Sequence, residues 1–429
     1  MIGVGELALL DYAYPVLGAI EWFLILFPGV SAVLAIATSL EYVRQSRRAP
    51  DLHFSSEDIE TARLRWPSLT VVIPARNEQA HIADTIESVQ RIDWPTVRII
   101  VVDDGSTDGT ADILRSFGPS ITVLSKSVNE GKARALNDAI SSSSDGLVMI
   151  VDADCIVPPQ TANLMARQFV KSDTIGAVTA NPRVTKTSTF IEKLQAIEFS
   201  ATVSATRRGQ AVWGRILTMS GICTLLRRDA LDEVGLFDAS QPTEDIEMTW
   251  RLNLAGWRVT YEPEAVVGML VPTTLKALIV QRRRWARGLA LVLRKHWWQA
   301  VRSIRQWPLL IESALSILWC HLILVVTIVL VVARIAGEPS ATPILGSWAI
   351  GLLLLCAAHV MWGMRLDARN DPSIWSVLAW IPLFSVVYWT LSSVVVVSST
   401  VPALLSRSKR HVVWTSARPT GPGLFDTQT

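Results

Sequence analysis

Residues 147–154 read LVMIVDAD, an apolar run that ends in two carboxylates one residue apart, Asp152 and Asp154. Because its apolar residues do not alternate with polar ones, the run predicts a parallel strand that is covered on both faces. Open α/β sheets bind ligands beyond the carboxyl ends of such strands. Mg²⁺ and Mn²⁺ commonly use one or two carboxylates while substrate phosphates complete the coordination. The pair therefore predicts a metal and phosphate site, and ordinary turn chemistry is the alternative for an Asp-x-Asp at a strand end.

Strand-like segments of this kind recur from Trp66 onward, with helix-like segments between them. They read LTVVIPA (69–75), VRIIVVDDG (97–105), ITVLSK (121–126) and LVMIVDAD (147–154). This alternation predicts an α/β fold with a parallel sheet and crossover helices. The loops after the strands should then meet at one edge of the sheet.

Polar residues follow the other three segments as well. Asp104, at the end of the second, can accept a hydrogen bond from the N–H of a base. Lys132 follows the third segment near a helix start, and both a cation and a helix N-terminus favour a diphosphate. Each feature alone is equally typical of an Asp-Gly turn or a helix cap. Together, at one sheet edge, they predict a nucleotide site.

A second acidic pair, Glu244 and Asp245, follows Thr243 at the start of a helix-like stretch. An isolated acid at a helix N-terminus is commonly a cap. In a cleft that already holds a metal site, Asp245 is also a candidate general base, because deprotonating a hydroxyl requires a positioned acceptor.

The N-terminal part of the chain is typical of a membrane segment. Of the 429 residues, 50% are hydrophobic, and the apolar residues are concentrated at the two ends. Residues 22–40 are uncharged and long enough to cross a bilayer as a helix, and the basic stretch Arg44–Arg48 follows. The positive-inside rule places the next domain on the cytoplasmic side. The weakly apolar residues 6–20 leave a second N-terminal span open.

Net charge and cysteine content restrict the function classes. The formal net charge of +2 gives no reason to expect nucleic-acid binding, because Lys and Arg cluster beside apolar segments. The four cysteines have neither CxxC spacing nor the density of a disulfide scaffold. A reducing, cytosolic setting is predicted for the globular part.

The C-terminal half contains further membrane-type segments. Residues 274–300 combine apolar residues at helical spacing with clustered Arg, Lys and Trp, which predicts an amphipathic helix on the membrane surface. Residues 309–334, 342–363 and 374–403 are each long and apolar enough to cross. Three crossings would place the basic residues 407–410 outside, against the positive-inside rule. Either 374–403 is an interfacial segment or hairpin, or the rule fails here.

The motifs of this chain, in order, are IPARNE, VVDDGSTDGT, NEGKARAL, DAD, TED and QRRRW. Over residues 66–300 they resemble the processive membrane glycosyltransferases of family 2, which make cellulose, chitin, hyaluronan and poly-N-acetylglucosamine. Within the family, residues 176–221 and 307–319 are most similar to the bacterial poly-β-1,6-N-acetylglucosamine synthases. The resemblance implies a Rossmann-like α/β domain of the GT-A type. It also implies a UDP-sugar donor, with UDP-N-acetylglucosamine favoured, and Mg²⁺ or Mn²⁺ as cofactor.

The resemblance also implies roles for individual residues. Asp245, with Glu244 beside it, matches the catalytic base of an inverting transfer, and Asp154 matches the metal ligand. The residues that match nucleotide-sugar-binding positions are Ala75, Arg76, Glu78, Asp104, Lys132 and Asp152. Those that match diphosphate and acceptor positions are Gln281, Arg284, Trp285, Gly221 and Cys223. An inert buried thiol explains Cys223 equally well.

These expectations divide the chain into five parts. They are an N-terminal membrane region (1–48), a cytosolic GT-A domain (66–273), amphipathic interfacial helices with QRRRW (274–305), C-terminal transmembrane helices (306–405) and a partly disordered polar tail (406–429). The expected location is the inner (plasma) membrane, with the catalytic domain in the cytoplasm. The expected partners are the donor, the growing polysaccharide and membrane lipid. The resemblance adds a small membrane subunit and control by cyclic-di-GMP as candidates.

Other functions fit part of the pattern. A hyaluronan-, chitin- or cellulose-type synthase, or a non-processive transferase acting on a lipid-linked acceptor, would share most of these motifs. A membrane transporter or scaffold with an inactive cytosolic domain belongs to another class, and the intact DAD, TED and QRRRW motifs argue against it.

Overall fold

The computed structural model describes residues 4–48, 67–336 and 343–405. Within them a mixed sheet has the strand order β3-β2-β1-β4-β7-β6-β8-β5. The strands are β1 Leu69–Ala75, β2 Val97–Asp103, β3 Thr122–Ser125, β4 Leu147–Val151, β5 Cys155–Ile156, β6 Ile175–Val184, β7 Cys223–Arg227 and β8 Arg258–Met269. The predicted tail at 406–429 lies outside the described residues.

The first four strands form the parallel half of the sheet, as the sequence predicts. β1 pairs in parallel with both β2 and β4, and β2 pairs in parallel with β3. Every residue of β1 and β4 is buried, which explains why their sequences do not alternate. The first five helices in chain order are α1 Val4–Arg48, which precedes the sheet, α2 Ile82–Gln90, α3 Thr110–Ser116, α4 Lys132–Ser141 and α5 Thr161–Lys171.

The second half of the sheet differs from the predicted parallel arrangement. β7 runs antiparallel to both β4 and β6, while β6 and β8 are parallel. The antiparallel pairing of Val151 with Cys223 brings the loop before β7 beside the end of β4, where the backbone N–H of Asp152 donates to the carbonyl of Ile222. Two loops distant in sequence therefore meet where the two carboxylates lie.

Two apolar cores cover the two faces of the sheet. Val71 and Ile73 of β1 pack into one core, and Val72 packs into the other, because successive side chains of a strand point to opposite faces. We call residues 67–302, which contain all six motifs, the catalytic half. Its remaining helices are α6 Phe190–Ile197, a π-helical turn Glu198–Val203, α7 Ser204–Val212, α8 Arg228–Val234, α9 Glu244–Ala255 and α10 Leu275–Arg302. The prediction of a helix over 274–300 is confirmed by α10.

Four helices are long and apolar enough to cross a membrane in the described part of the chain, and they indicate membrane association. Both N-terminal apolar segments belong to the single helix α1, so residues 6–20 do not form a separate one. The others are α11 Trp307–Ile335, α12 Pro343–Asp367 and α13 Ile381–Leu405, which follows a 3₁₀ segment at Pro372–Trp380. The candidate spans are Val16–Ser46, Ile304–Ile335, Ser347–Asp367 and Pro372–Leu405.

The ends of the C-terminal helices contact the catalytic half. Asp367, the last residue of α12, pairs with Arg183 of β6 at 2.7 Å. Just before α13, Trp380 contacts the ring of Phe190 in α6, with centroids 5.2 Å apart. In the last turn of α13, the carbonyls of Ala403 and Leu404 accept hydrogen bonds from Arg294 of α10. Helix α13 therefore lies alongside α10 and contacts the catalytic half near both of its ends.

Candidate active site

A cavity of about 1560 Å³ opens at the carboxyl end of β4. Its walls come from the loops after β3 and β4, the loop before β7, the N-terminus of α9, and the helices α7, α10 and α13. Among the predicted residues, those that line it are Lys132, Asp152, Asp154, Gly221, Glu244, Asp245, Gln281, Arg284 and Trp285. Four of the six sequence motifs, together with Gly221, therefore share one cavity.

Lys132 joins two of the acidic motifs. Its Nζ lies 2.6 Å from Asp152 Oδ1 and 3.2 Å from Glu244 Oε1. Burial alone would lower the pKa of Lys132, but the two carboxylates outweigh burial and raise it. The side chain is therefore a permanent cation between the DAD and TED motifs.

Asp245 lies in the first turn of α9 and lines the cavity. Its Oδ2 accepts a hydrogen bond from the backbone N–H of Gly221 at 3.1 Å. Burial and the like charge of Glu244 raise the pKa of the Asp245 carboxyl to about 6, against the opposing effects of Lys132 and Arg284. A carboxylate with this pKa accepts a proton more readily than an ordinary aspartate does.

Gly221 leaves room between these charged groups. A Cβ added at this position would lie 3.1 Å from Lys132 Nζ and 3.2 Å from Asp245 Oδ2. Any larger residue would crowd both side chains. The glycine therefore keeps the space beside the candidate base open.

The residues of the DAD motif fit a divalent cation that is held largely by its substrate. Asp154 is 6% exposed and lines the cavity with Asp152, so two carboxylates lie at the strand end. No group of three or more His, Cys, Asp or Glu side chains that could hold an ion occurs within the described ranges. Mg²⁺ and Mn²⁺ accept this arrangement, because phosphate oxygens supply the remaining ligands.

The QRRRW motif lies on α10 and contributes one wall. Arg284 donates to the carbonyl of Pro242 at 3.3 Å, next to the TED motif. Trp285 makes an edge contact with Phe199 of the π-helical turn, with ring centroids 6.4 Å apart. Gln281 Oε1 is buried and accepts no hydrogen bond from any of the described residues. A ligand in the cavity could satisfy that oxygen.

A second arginine of this motif, Arg282, has a function that the sequence analysis missed. Its guanidinium forms a bidentate pair with Glu198 at 2.7 and 2.6 Å, and it stacks on the Trp285 ring at 4.3 Å. The pair fixes the ring of Trp285 against the π-helical turn. The motif position could have identified Arg282, but no local pattern marks Glu198.

The predicted nucleotide residues at the ends of β1 and β2 lie next to the cavity and do not line it. Both carboxylate oxygens of Asp104 accept backbone hydrogen bonds, from Glu130 at 2.9 Å and from Gly131 at 2.8 Å. The carbonyl of Ala75 accepts from the N–H of Asp104, and the N–H of Glu78 donates to Thr110. Asp104 thus holds the loop that leads to Lys132. Nucleotide binding by Ala75, Arg76, Glu78 and Asp104 stays a prediction.

The structure favours the buried-thiol interpretation of Cys223. This residue is fully buried in β7 opposite Val151, and it is absent from the cavity wall. Burial raises the pKa of its thiol to about 12. Its side chain packs into the apolar core on one face of the sheet, and a place beside the acceptor stays a prediction.

Comparison with known proteins identifies the family. Residues 67–288 match the family model described as "Glycosyltransferase like family 2". A poly-beta-1,6-N-acetyl-D-glucosamine synthase of Staphylococcus epidermidis is 29% identical over 406 residues, which cover 92% of this chain and 97% of that protein. A poly-beta-1,6-N-acetyl-D-glucosamine synthase of Staphylococcus aureus is 33% identical over 313 residues, which cover 70% of this chain and 74% of that protein.

Among solved structures, the mannosyltransferase PcManGT from Pyrobaculum calidifontis, in complex with GDP-Man and Mn²⁺, superimposes with a TM-score of 0.64. It is 20% identical, and the match covers 91% of this chain and 100% of that one. This similarity shows a shared GT-A-like fold. Together with the family match and the apolar helices, it leads to one conclusion: the chain is a membrane-associated glycosyltransferase that belongs to glycosyltransferase family 2.

Proposed function

We propose that the protein is an inverting, processive glycosyltransferase that polymerises N-acetylglucosamine from UDP-N-acetylglucosamine into poly-β-1,6-N-acetylglucosamine. The main support is the single cavity that joins the carboxylates of the DAD and TED motifs to Trp285 of QRRRW. The relatives that match 70–92% of the chain support the choice of sugar and linkage, since they are named as synthases of this polymer.

In the proposed reaction, Asp245 removes the proton from the acceptor hydroxyl. The freed oxygen attacks the anomeric carbon of the donor while the bond from that carbon to the diphosphate breaks, and the leaving UDP takes the bonding electron pair. A direct displacement of this kind inverts the configuration. Lys132 and Arg284 place positive charge beside the cavity, where negative charge develops on the leaving group.

Asp154, with Asp152 beside it, would hold Mg²⁺ or Mn²⁺. When bound, the cation would offset the negative charge of the leaving diphosphate. The resemblance assigns direct coordination to Asp154, and Asp152 pairs with Lys132 at 2.6 Å.

The size of the cavity supports a polymer as product. A typical pocket for one small ligand has roughly 300–1,000 Å³, and this cavity has about 1560 Å³. It also continues from the carboxylates along α10 and α13. Helix α13 is one of the helices that are long and apolar enough to cross a membrane. A nucleotide-sugar and the end of a growing chain can occupy such a space together.

We further propose that the catalytic half lies in the cytoplasm at the inner membrane and that the polymer leaves across the membrane. The basic residue Arg44 at the end of α1 supports this orientation. Control by cyclic-di-GMP and a small membrane subunit stay predictions of the family resemblance.

Product digestion tests the proposed linkage. Polymer made by the purified protein should be cut by a hydrolase specific for β-1,6-linked N-acetylglucosamine and should resist chitinase. Cleavage by chitinase, hyaluronidase or cellulase would assign a different product.

A further inference from the structure

One wall of the cavity is a polar helix face that no motif marks. The π-helical turn and α7 present Thr202, Thr206 and Gln210 to the cavity at four-residue spacing, and Arg207 lies beside this row. Residues four apart lie on one face of a helix. The row thus forms a continuous strip of hydroxyl, amide and guanidinium groups.

Arg207 is a buried cation without an ion-pair partner among the described residues. It is 7% exposed, and its Nη1 makes no hydrogen bond within the described part of the chain. Its neighbour Arg208 differs sharply, because that guanidinium lies 2.8 Å from the buried carboxylate of Asp367. Both arginines lie 5.9 Å from the ring of Tyr261, so they share one environment and differ in their anionic partner.

A buried guanidinium N–H that makes no hydrogen bond is unfavourable unless a ligand provides the acceptor. Burial lowers the pKa of the Arg207 guanidinium, while the electrostatic influence of Tyr261 and Asp245 opposes that change. Arg207 and Asp245 line the same cavity. A buried guanidinium N–H without a hydrogen-bond acceptor is typical of a binding site.

The position of Arg207 favours the acceptor over the donor diphosphate. The cations near the DAD and TED motifs are Lys132 and Arg284, on other walls of the cavity. Arg207 instead lies beside the polar row, next to Thr206 of α7. Sugar hydroxyl and acetamido oxygens accept hydrogen bonds from guanidinium groups, and the five N–H donors of Arg suit several such oxygens at once.

We propose that Arg207 is an acceptor-binding residue whose guanidinium donates hydrogen bonds to hydroxyl or acetamido oxygens at the end of the growing chain, so that the attacking hydroxyl lies beside Asp245. The inference rests on the proposed polymerase function. It adds a residue of the acceptor site that lies outside every motif of the chain.

The test compares the wild type with Arg207→Met, Arg207→Lys and the matched control Arg208→Met in the detergent-purified full chain. Kinetics with UDP-N-acetylglucosamine and a short N-acetylated β-1,6-linked glucosamine oligosaccharide separate the acceptor KM from the donor KM. Since hydrogen bonds to charged groups contribute to binding, Arg207→Met should raise the acceptor KM about 10-fold to 100-fold. The donor KM should change by no more than about twofold. Arg207→Lys keeps the positive charge but loses the planar set of N–H donors, so it should restore part of the affinity for the acceptor.

Thermal unfolding separates binding from a purely structural role. Arg207→Met should leave the Tm unchanged or raise it, because the variant removes a cation that lacks a partner. Arg208→Met should lower the Tm, because it leaves Asp367 with less compensating charge. An unchanged acceptor KM, an equal rise in both KM values, or a fall in Tm or failure to fold for Arg207→Met would overturn the inference.

The two proposals fail separately. If the wild type uses another UDP-sugar, the proposed product is wrong, and the acceptor kinetics of the Arg207 variants can still be measured with that donor and its oligosaccharide. If the wild type makes the expected polymer and the variants behave as the wild type does, only the role of Arg207 is wrong.

Discussion

At the residue scale, the carboxyl of Asp245 lies among like and opposite charges. Burial and Glu244 raise its pKa to about 6, and Lys132 and Arg284 act against them. A general base works only when it is deprotonated, so the activity should decline as the pH falls through the folded pKa.

The first prediction concerns the pH profile. The acid limb of kcat/KM should fall near pH 6, because Asp245 becomes protonated there. Glu244→Gln removes the neighbouring negative charge, so the pKa of Asp245 should decrease and the limb should move to lower pH. A limb near the ordinary pKa of Asp, about 3.9, or one that Glu244→Gln leaves in place, would contradict the assignment.

The second prediction separates the base from the metal ligand. Asp245→Asn should reduce kcat by roughly 10²-fold to 10⁴-fold, because it removes a proton acceptor. The variant should still bind UDP, as titration calorimetry can measure. Asp154→Ala should instead weaken the binding of UDP that depends on Mn²⁺. Loss of UDP binding in Asp245→Asn, or unchanged metal dependence in Asp154→Ala, would refute these roles.

Candidate site residues at the ends of strands and helices could be predicted from the sequence. Asp152 and Asp154 follow a buried strand and Asp245 lies at the start of a helix. Such local patterns can be recognised in the amino-acid sequence. No local pattern marks Glu198 or Arg207, because Glu198 pairs with Arg282 of α10 and Arg207 lies beside Tyr261 of β8, both distant in sequence. The sequence alone left two interpretations of Cys223 open, since the direction of its side chain depends on the register of β7.

At the element scale, α10 packs directly against the TED motif through Gly288. A Cβ at this position would overlap Thr243 Oγ1 and approach its Cγ2 to 2.5 Å. Thr243 directly precedes Glu244 and Asp245, which begin α9. The distance between α9 and α10 therefore controls the position of Asp245, the candidate base.

The third prediction follows from this contact. Gly288→Ala should lower the free energy of unfolding by about 1–3 kcal/mol through overpacking, and it should also reduce kcat. Gly351→Ala is the matched control in a helix, because nothing lies within 4 Å of its added Cβ. The control should retain both the Tm and the activity. Equal behaviour of the two variants in thermal unfolding and turnover assays would show that the packing at Gly288 is loose.

The fourth prediction concerns the Glu198–Arg282 pair, which links the π-helical turn to α10. Arg282→Met leaves the buried Glu198 without its partner and should cost about 3–5 kcal/mol. The double variant Glu198→Gln with Arg282→Met removes both charges and should recover much of that loss. Unfolding of the single and double variants in detergent measures the coupling. A double variant as unstable as the sum of the two single variants would show that the pair is not coupled.

The parallel half of the sheet was predictable because its buried strands have uninterrupted apolar sequences. The mixed half was not, because β5 has two residues and β7 has five, and their pairing depends on partners distant in sequence. Position beside β4, and not local propensity, determines the direction of β7.

At the scale of the whole molecule, the contacts of α13 bear on the conflict between three membrane crossings and the positive-inside rule. Trp380, just before this helix, contacts α6, and the last turn accepts hydrogen bonds from Arg294 of α10. Lys295, the next residue of α10, pairs with Glu247 of α9 at 2.6 Å, so this part of α10 lies on the catalytic half. These contacts favour the interfacial interpretation of residues 374–403.

The fifth prediction is therefore topological. A cysteine introduced just after Leu405 should be on the same side of the membrane as the catalytic half. In inside-out vesicles a membrane-impermeant thiol reagent should label it, and in intact spheroplasts it should not. Labelling of spheroplasts alone would show that α13 crosses the membrane. A cysteine at Ser120, an exposed residue of the catalytic half, provides the matched control.

The most direct test of the proposed function is an incubation of the detergent-purified protein with Mn²⁺ and one UDP-sugar at a time, with UDP release and polymer as readouts. Turnover and polymer formation with UDP-N-acetylglucosamine alone are expected. Turnover only with UDP-glucose, or only with two different UDP-sugars together, would contradict the assignment as a poly-N-acetylglucosamine synthase.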